Sequence, residues 1–306
     1  MKRPNFFISG APRCGTTALY TYLSEHPQIF MSGVKELNYF ATDFPNVQKI
    51  TFKSVEDYDR VFANAGTQHL GVGEASPFYL FSKVAFKNMA TYDSNAKAIL
   101  TLRHPVEFIE SYHRLNLSLL REDEPDLAKA WDLQEARKQG KNIPASARQA
   151  ELLMYGELGQ FGQYVEKMLT VLPREQVKIF LFDDLRSSPR DVYEQTLAFI
   201  GVPSDGRKDF PLINANFANR SKIMARLFHP PQPVYRAFVK LIGLFGPGFM
   251  EKVSIFYNRL EKLNTTRTTR TTLDPALRAR MLEHFSPDIE KLAGLIGRDL
   301  SGWLAG

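Results

Sequence analysis

Two short clusters in the chain hold residue types suited to gripping an anion. Gly10-Ala11-Pro12-Arg13-Cys14-Gly15-Thr16-Thr17 joins a short apolar run to a segment of helical period. At such a junction, backbone N–H groups and the positive end of the helix dipole can cradle a phosphate. The Thr16 and Thr17 hydroxyls add donors, and Arg13 adds a cation. The second cluster, Arg103-His104-Pro105, closes another apolar run. An arginine there presents a planar fork that meets phosphate oxygens in pairs.

The elements that must carry these clusters follow from period and punctuation. Residues 5–9 read as a buried strand, and Thr17 to His26 as a helix with Leu19, Tyr22 and Leu23 on one face, ended by Pro27. Ala98–Leu102 reads as a second buried strand, followed by a helix with Pro105 at N1 and Val106, Ile109 and Tyr112 in period. Val177–Phe182 reads as a third strand, and Ser188-Pro189 opens a helix that closes at Gly201. His69–Gly73 is a further strand candidate. Strands alternating with helices predict an α/β fold: a P-loop-type sandwich with a central, mostly parallel sheet flanked by helices. Ligands of such sheets bind at the carboxyl ends of the strands.

The remaining segments look like additions to one domain spanning residues 1–306. The charged stretch 121–150 is expected to form a lid with one helix around Ala128–Gln139. The segment 228–264 is expected to carry two apolar-rich helices. Asp274-Pro275 and Ser286-Pro287 each read as an N-cap followed by an N1 proline.

The glycine loop departs from the nucleotide-triphosphate pattern Gly-x4-Gly-Lys-[Ser/Thr]. Thr16 stands at the lysine position, and the cation sits earlier, at Arg13. A kinase-type site also needs an acidic strand end to hold a metal. Here the strand 98–102 runs into Arg103-His104 instead. The six histidines show no metal-ligand spacing, so the site is read as metal-free and nucleotide-binding.

These residues carry a family resemblance. The loop 10–17 resembles the 5′-phosphosulfate loop of sulfotransferases that use 3′-phosphoadenosine-5′-phosphosulfate (PAPS). Leu102-Arg103-His104-Pro105 with Ser111 resembles the family's 3′-phosphate motif. Val34-Lys35-Glu36-Leu37-Asn38-Tyr39-Phe40 is similar to the Lys-Glu-x-x-[aromatic]-Phe stretch of the heparan-type and bacterial branches. Phe285-Ser286-Pro287-Asp288 through Trp303, and Gly162-Gln163-Tyr164 with Leu172 to Val177, are similar as well. The resemblance implies that Arg13, Cys14, Gly15, Thr16, Thr17 and Ala18 meet the phosphosulfate, and that Arg103 and Ser111 meet the 3′-phosphate. It implies Glu36 as the general base, with Lys35 and Arg13 as candidates for stabilising the leaving group. Arg267 and Arg270 lie in a late basic loop of the kind the family turns to the 3′-phosphate; a solvated loop is the alternative. Gly73-Glu74-Ala75-Ser76-Pro77 departs from the heparan-type Gly-x-Glu-Lys-[Ser/Thr]-Pro, with Ala75 in the lysine's place. That weakens a heparan-like acceptor and leaves more of the cationic role to Lys35 and Arg13.

Composition sets the outer bounds. The chain has 306 residues, 44% of them hydrophobic and 24% charged, with a net charge of +6. The charge fits an anionic ligand but is too diffuse for nucleic acid. The lone cysteine, Cys14, excludes an intramolecular disulfide and fits a reducing, cytoplasmic setting. Its place near a helix N-terminus would lower its pKa. His104 stands as an alternative base. The aromatic-rich segment 228–264 suits a lipidic, aromatic or polyketide-like small-molecule acceptor, or peripheral docking at a membrane surface. A plain amphipathic helix pair explains it equally. A small-molecule P-loop kinase and a non-catalytic nucleotide-binding protein are the competing readings. Acceptor and oligomeric state stay open.

Overall fold

A computed structural model of the chain describes residues 2–48, 52–213, 217–219, 234, 237, 241, 265–267 and 273–305. The chain divides into two compact units. The first comprises Met1–Phe108, Gln160–Asn214 and Leu282–Gly306; the second comprises Ile109–Gly159 and Ala215–Met281.

The first unit is built on five strands: β1 (Phe6–Gly10), β2 (Ile29–Met31), β3 (Gly71–Ala75), β4 (Lys97–Leu102) and β5 (Val177–Leu181). They form one sheet in the order β2-β3-β1-β4-β5, with every neighbouring pair parallel. All residues of β1 and β3 are buried, as expected of central strands covered on both faces. Phe6 lies opposite Gly73, and its ring fills the space a side chain there would need. The β1–β4 register shifts between Ile8 and Gly10, where the chain leaves the ladder for the loop. Phe6, Ile8, Leu19, Leu23, Ile99, Leu185 and Leu197 belong to one buried cluster that fixes the first helix, α1 (Thr16–Ser24), against the sheet.

The sequence reading maps onto these elements with some corrections. β5 stops at Leu181, because Phe182 already begins the helix Phe182–Ser187. The next helix runs from Pro189 to Ile200 and ends at Gly201 in the left-handed region, φ 78°. The Val202 and Gly201 amides then close back onto Leu197 and Ala198. Ser188 makes no side-chain cap; its backbone carbonyl accepts from Asp191 and Val192 instead. Asp274 does cap, accepting from the Leu277 amide at 3.2 Å. Ser286-Pro287 opens no helix, because both residues lie inside one helix, Pro275–Ile296. The Ser286 hydroxyl donates back to the Leu282 carbonyl at 2.7 Å, bonding within the helix that the proline interrupts.

Within the second unit, the stretch 121–150 holds two short helices, Leu127–Asp132 and Gln134–Lys138, rather than one. Its interior carries a fully buried ion pair: Arg137 donates to Glu122 at 2.7 Å, and the Tyr155 hydroxyl donates to the same carboxylate at 2.7 Å. The threonine run expected as loop contributes β7 (Thr265–Arg267), antiparallel to β6 (Phe217–Asn219). β-Branched threonines suit that extended backbone. Residues 228–264, apart from 234, 237 and 241, lie outside the described residues. No helix among the described residues is long and apolar enough to cross a membrane.

Candidate functional site

The glycine loop leaves β1 and enters α1 through two left-handed residues, Arg13 at φ 65° and Gly15 at φ 89°. Gly15 is required twice over. Its φ disfavours any side chain, and a Cβ there would sit 2.5 Å from Leu185 Cδ2. Gly10 is similarly hemmed in, 2.6 Å from Leu80 Cβ. The loop is tied to the neighbouring strand: the Ala11 amide donates to the Thr101 carbonyl at 2.8 Å. No side chain caps α1, and its first turn holds no acid. Its first N–H groups, with Thr16 and Thr17 beside them, form the kind of helix end that receives an anion.

A second segment is laid against this loop. Lys35 donates to Thr17 Oγ1 at 2.8 Å, and its ammonium sits 5.5 Å from the centre of the Tyr20 ring. Glu36 follows with φ 65°, an uncommon backbone for that residue type, anchored by its amide to the Ala75 carbonyl at 2.9 Å. Asn38, also left-handed at φ 51°, donates through Nδ2 to the Glu36 carbonyl at 3.0 Å. The sheet therefore places a cation beside a phosphate-type loop and anchors the Glu36 backbone at the carboxyl end of the neighbouring β3.

The carboxyl end of β4 supplies the third piece. The Arg103 guanidinium lies 4.7 Å from the centre of the Phe182 ring and donates through Nε and Nη2 to Glu107 Oε2, at 3.0 and 2.7 Å. Its side chain is mostly buried, so the fork is oriented before any ligand arrives.

Comparison with known proteins decides the family. The model for the sulfotransferase domain matches residues 3–222, a span that includes all five strands, the loop, Lys35-Glu36 and Arg103. The chain belongs to the sulfotransferase domain family.

The membrane-associated sulfotransferase kil1 of Dictyostelium discoideum is 36% identical over 130 residues, 42% of this chain and 26% of that protein. The human bifunctional heparan sulfate N-deacetylase/N-sulfotransferase 3 is 27% identical over 204 residues, covering 65% of this chain and 22% of that protein. The chain thus spans about a quarter of the length of these curated relatives. A crystal structure of a sulfotransferase from Alicyclobacillus acidocaldarius superposes with a TM-score of 0.71 at 27% identity, covering 99% of both chains.

Other expected site residues of this sulfotransferase domain fall as follows. Ser111 is buried on the helix Pro105–Ser118 and belongs to the second unit. Arg267 belongs to β7 rather than a loop. Arg270 lies outside the described residues. His104 is not placed as a base. Its Nδ1 accepts from the Val106 amide at 3.2 Å, which leaves Nε2–H to donate to the Trp303 carbonyl at 2.9 Å. It caps the helix after β4 and pins the C-terminus. Cys14 departs from its expected low pKa. Burial pushes the thiol up to about 12, outweighing the fields of Arg103 and Arg13 and a hydrogen bond with the Arg103 backbone. Among the described residues, no group of three or more His, Cys, Asp or Glu could hold a metal ion.

Sequence reasoning missed the support beneath Glu36. Glu74, on β3, is fully buried. It accepts from Tyr58 and Tyr79 through Oε1, at 2.9 and 2.6 Å, and from Ser76 through Oε2 at 2.8 Å. Burial raises its pKa from the ordinary value, and the three hydroxyls pull it partly back. The only available signal was an acid inside an otherwise small, apolar strand. Phe182 and Leu185 left no signal, since contacts with Arg103 and Gly15 depend on how distant strands are ordered.

Proposed function

We propose that the chain moves a sulfuryl group from PAPS to a hydroxyl or amine of a small-molecule, lipid or carbohydrate acceptor, releasing adenosine 3′,5′-bisphosphate. The observation that carries this reading is the Lys35–Thr17 hydrogen bond. It joins the segment bearing a candidate base to a loop fit for a phosphosulfate. A kinase reading has no such anchor, since Thr16 stands where the loop lysine would be.

The residues divide the work by charge. Gly15, Thr16, Thr17 and Ala18 offer N–H groups, and Thr16 and Thr17 hydroxyls, to the phosphosulfate, with Arg13 and Cys14 shaping the turn before them. Arg103 meets the 3′-phosphate, with Ser111 and a late arginine, Arg267 or Arg270, as further candidates. Glu36 accepts the proton of the acceptor hydroxyl or amine as that atom bonds to sulfur. The bond from sulfur to the bridging oxygen breaks in line with the attack. The electron pair stays on the 5′-phosphate, where Lys35 and Arg13 offset the developing charge. The reading needs no metal. It also places the domain in a reducing, cytoplasmic compartment, in keeping with a lone, buried cysteine.

The relatives' names include heparan sulfate and carbohydrate sulfotransferases, which favours a sugar. Ala75, in the place of the heparan-type lysine, argues for a different or less anionic one. The test is transfer of labelled sulfuryl from PAPS across sugars, phenols, lipids and alkaloids. Thermal shift with adenosine 3′,5′-bisphosphate against ATP–Mg²⁺ runs beside it. Stabilisation by the bisphosphate and label transfer to one acceptor class are expected. Stabilisation by ATP–Mg²⁺ alone would overturn the reading.

A further inference from the structure

We propose that Glu74 is a positioning residue: through the hydroxyls of Ser76 and Tyr79 it holds the Glu36–Phe40 segment in place against the phosphate loop. The inference rests on the reading of Glu36 as the base.

The argument begins with cost. A carboxyl group buried in a central strand is unfavourable, and an apolar side chain would pack there without that penalty. Among the described residues no cation pairs with Glu74. Its partners are three hydroxyls. All three hydroxyls donate to its two oxygens, so each spends its hydrogen there. That fixes which way the hydroxyls point and leaves their oxygens free to accept from elsewhere.

Two of those oxygens meet the backbone just after Glu36. Ser76 Oγ accepts from the Asn38 amide at 2.9 Å, and Tyr79 Oη accepts from the Phe40 amide at 3.4 Å. The polarity is consistent along both routes: N–H to hydroxyl, hydroxyl to carboxylate. Asn38 then donates to the Glu36 carbonyl, and the Glu36 amide donates to Ala75, next to Glu74. The third hydroxyl belongs to Tyr58, whose ring stacks on Tyr39 with centroids 4.2 Å apart and planes at 10°. One buried carboxylate therefore organises residues 38, 39 and 40. It secures the left-handed turns at Glu36 and Asn38, which the backbone does not favour unaided. An amide in its place must donate on one side, and a hydroxyl on that side has to reverse.

The test uses Ser76→Ala, which cuts one route, Glu74→Gln, which reverses a polarity, and Ser76→Thr, which restores the hydroxyl. Two independent readouts are taken on the full chain. The first is amide hydrogen exchange without any ligand. Exchange across residues 36–40 should quicken about five- to ten-fold in Ser76→Ala and Glu74→Gln, leave residues 16–18 unchanged, and return towards wild type in Ser76→Thr. Unchanged exchange at 36–40 overturns the proposal whatever the reaction proves to be.

The second readout is transfer from PAPS. In Ser76→Ala, kcat should fall about 10²-fold, while the dissociation constant of adenosine 3′,5′-bisphosphate stays within about two-fold. In a Glu36→Gln background, Ser76→Ala should cost little more. Full kcat, or an equal further loss in that background, overturns the positioning role. If the segment loosens but the wild type transfers nothing from PAPS, the relay stands and the functional reading falls. Should Glu74→Gln fail to fold, the milder Ser76 pair carries both readouts.

Discussion

Lys35 donates to Thr17 Oγ1 at 2.8 Å, so a side chain from the segment after β2 reaches the first turn of α1. The contact places a positive charge on the loop that lacks the usual lysine. Lys35→Ala should lower kcat by about 10²- to 10³-fold, the scale of losing one stabiliser of developing negative charge. Bisphosphate affinity should change far less. Steady-state kinetics beside calorimetric binding reads both.

Glu36→Gln keeps the shape of the side chain and removes its basicity. Transfer should fall by about 10²- to 10⁴-fold, the usual contribution of a general base. Affinity for adenosine 3′,5′-bisphosphate should stay within about two-fold. Near-normal turnover in this variant would assign the base elsewhere.

Gly15→Ala tests the loop itself. The added methyl faces Leu185 Cδ2 at 2.5 Å on a backbone at φ 89°. The variant should lose about 1–3 kcal/mol of stability, and donor affinity with it. Adding Leu185→Ala should recover part of the binding loss by relieving the steric component, though not the backbone strain. Chemical denaturation and bisphosphate titration measure the two components.

The Glu122–Arg137 pair predicts a pH dependence. Burial pushes Glu122 up, but Arg137, the backbone around Glu124 and the Tyr155 hydroxyl together hold it below the ordinary carboxylate range. A carboxylate whose folded pKa is depressed adds stability above its unfolded pKa and loses it as pH falls through the folded one. Glu122→Gln should therefore cost about 3–5 kcal/mol near neutrality. The gap in melting temperature from wild type should close as pH drops below the usual glutamate range. A gap independent of pH would refute the assignment.

Cys14 should be inert in the folded protein. With its pKa pushed up to about 12, only about one thiol in 10⁴ is ionised at pH 8, and the sulfur is buried as well. Iodoacetamide should label the native chain far more slowly than the urea-unfolded chain. Rapid native labelling would show that the loop opens.

Much of the site was legible because its signals are local. A glycine that must turn, hydroxyls at a helix start and an arginine after a strand are readable from neighbours in sequence. β2 was missed because three residues at a sheet edge carry too little pattern. Ser286-Pro287 misled because the helix boundary there is overridden: Phe285 and Ile289 are buried on either side, and packing carries the helix through the proline. Cys14 misled because a dipole is visible in sequence, whereas the desolvation that outweighs it is not.

The sequence alone determined the strand–loop–helix units, the cationic character of the loop and strand end, and the family to which they belong. These depend on residues a few positions apart. Tertiary structure alone decided that Lys35 bonds Thr17, that Leu185 forces glycine at position 15, and that two hydroxyls join Glu74 to the Asn38 and Phe40 amides. Each joins segments brought together by the parallel order β2-β3-β1-β4-β5. Parallel neighbours must be linked by long crossovers, so residues adjacent at the strand ends are distant along the chain.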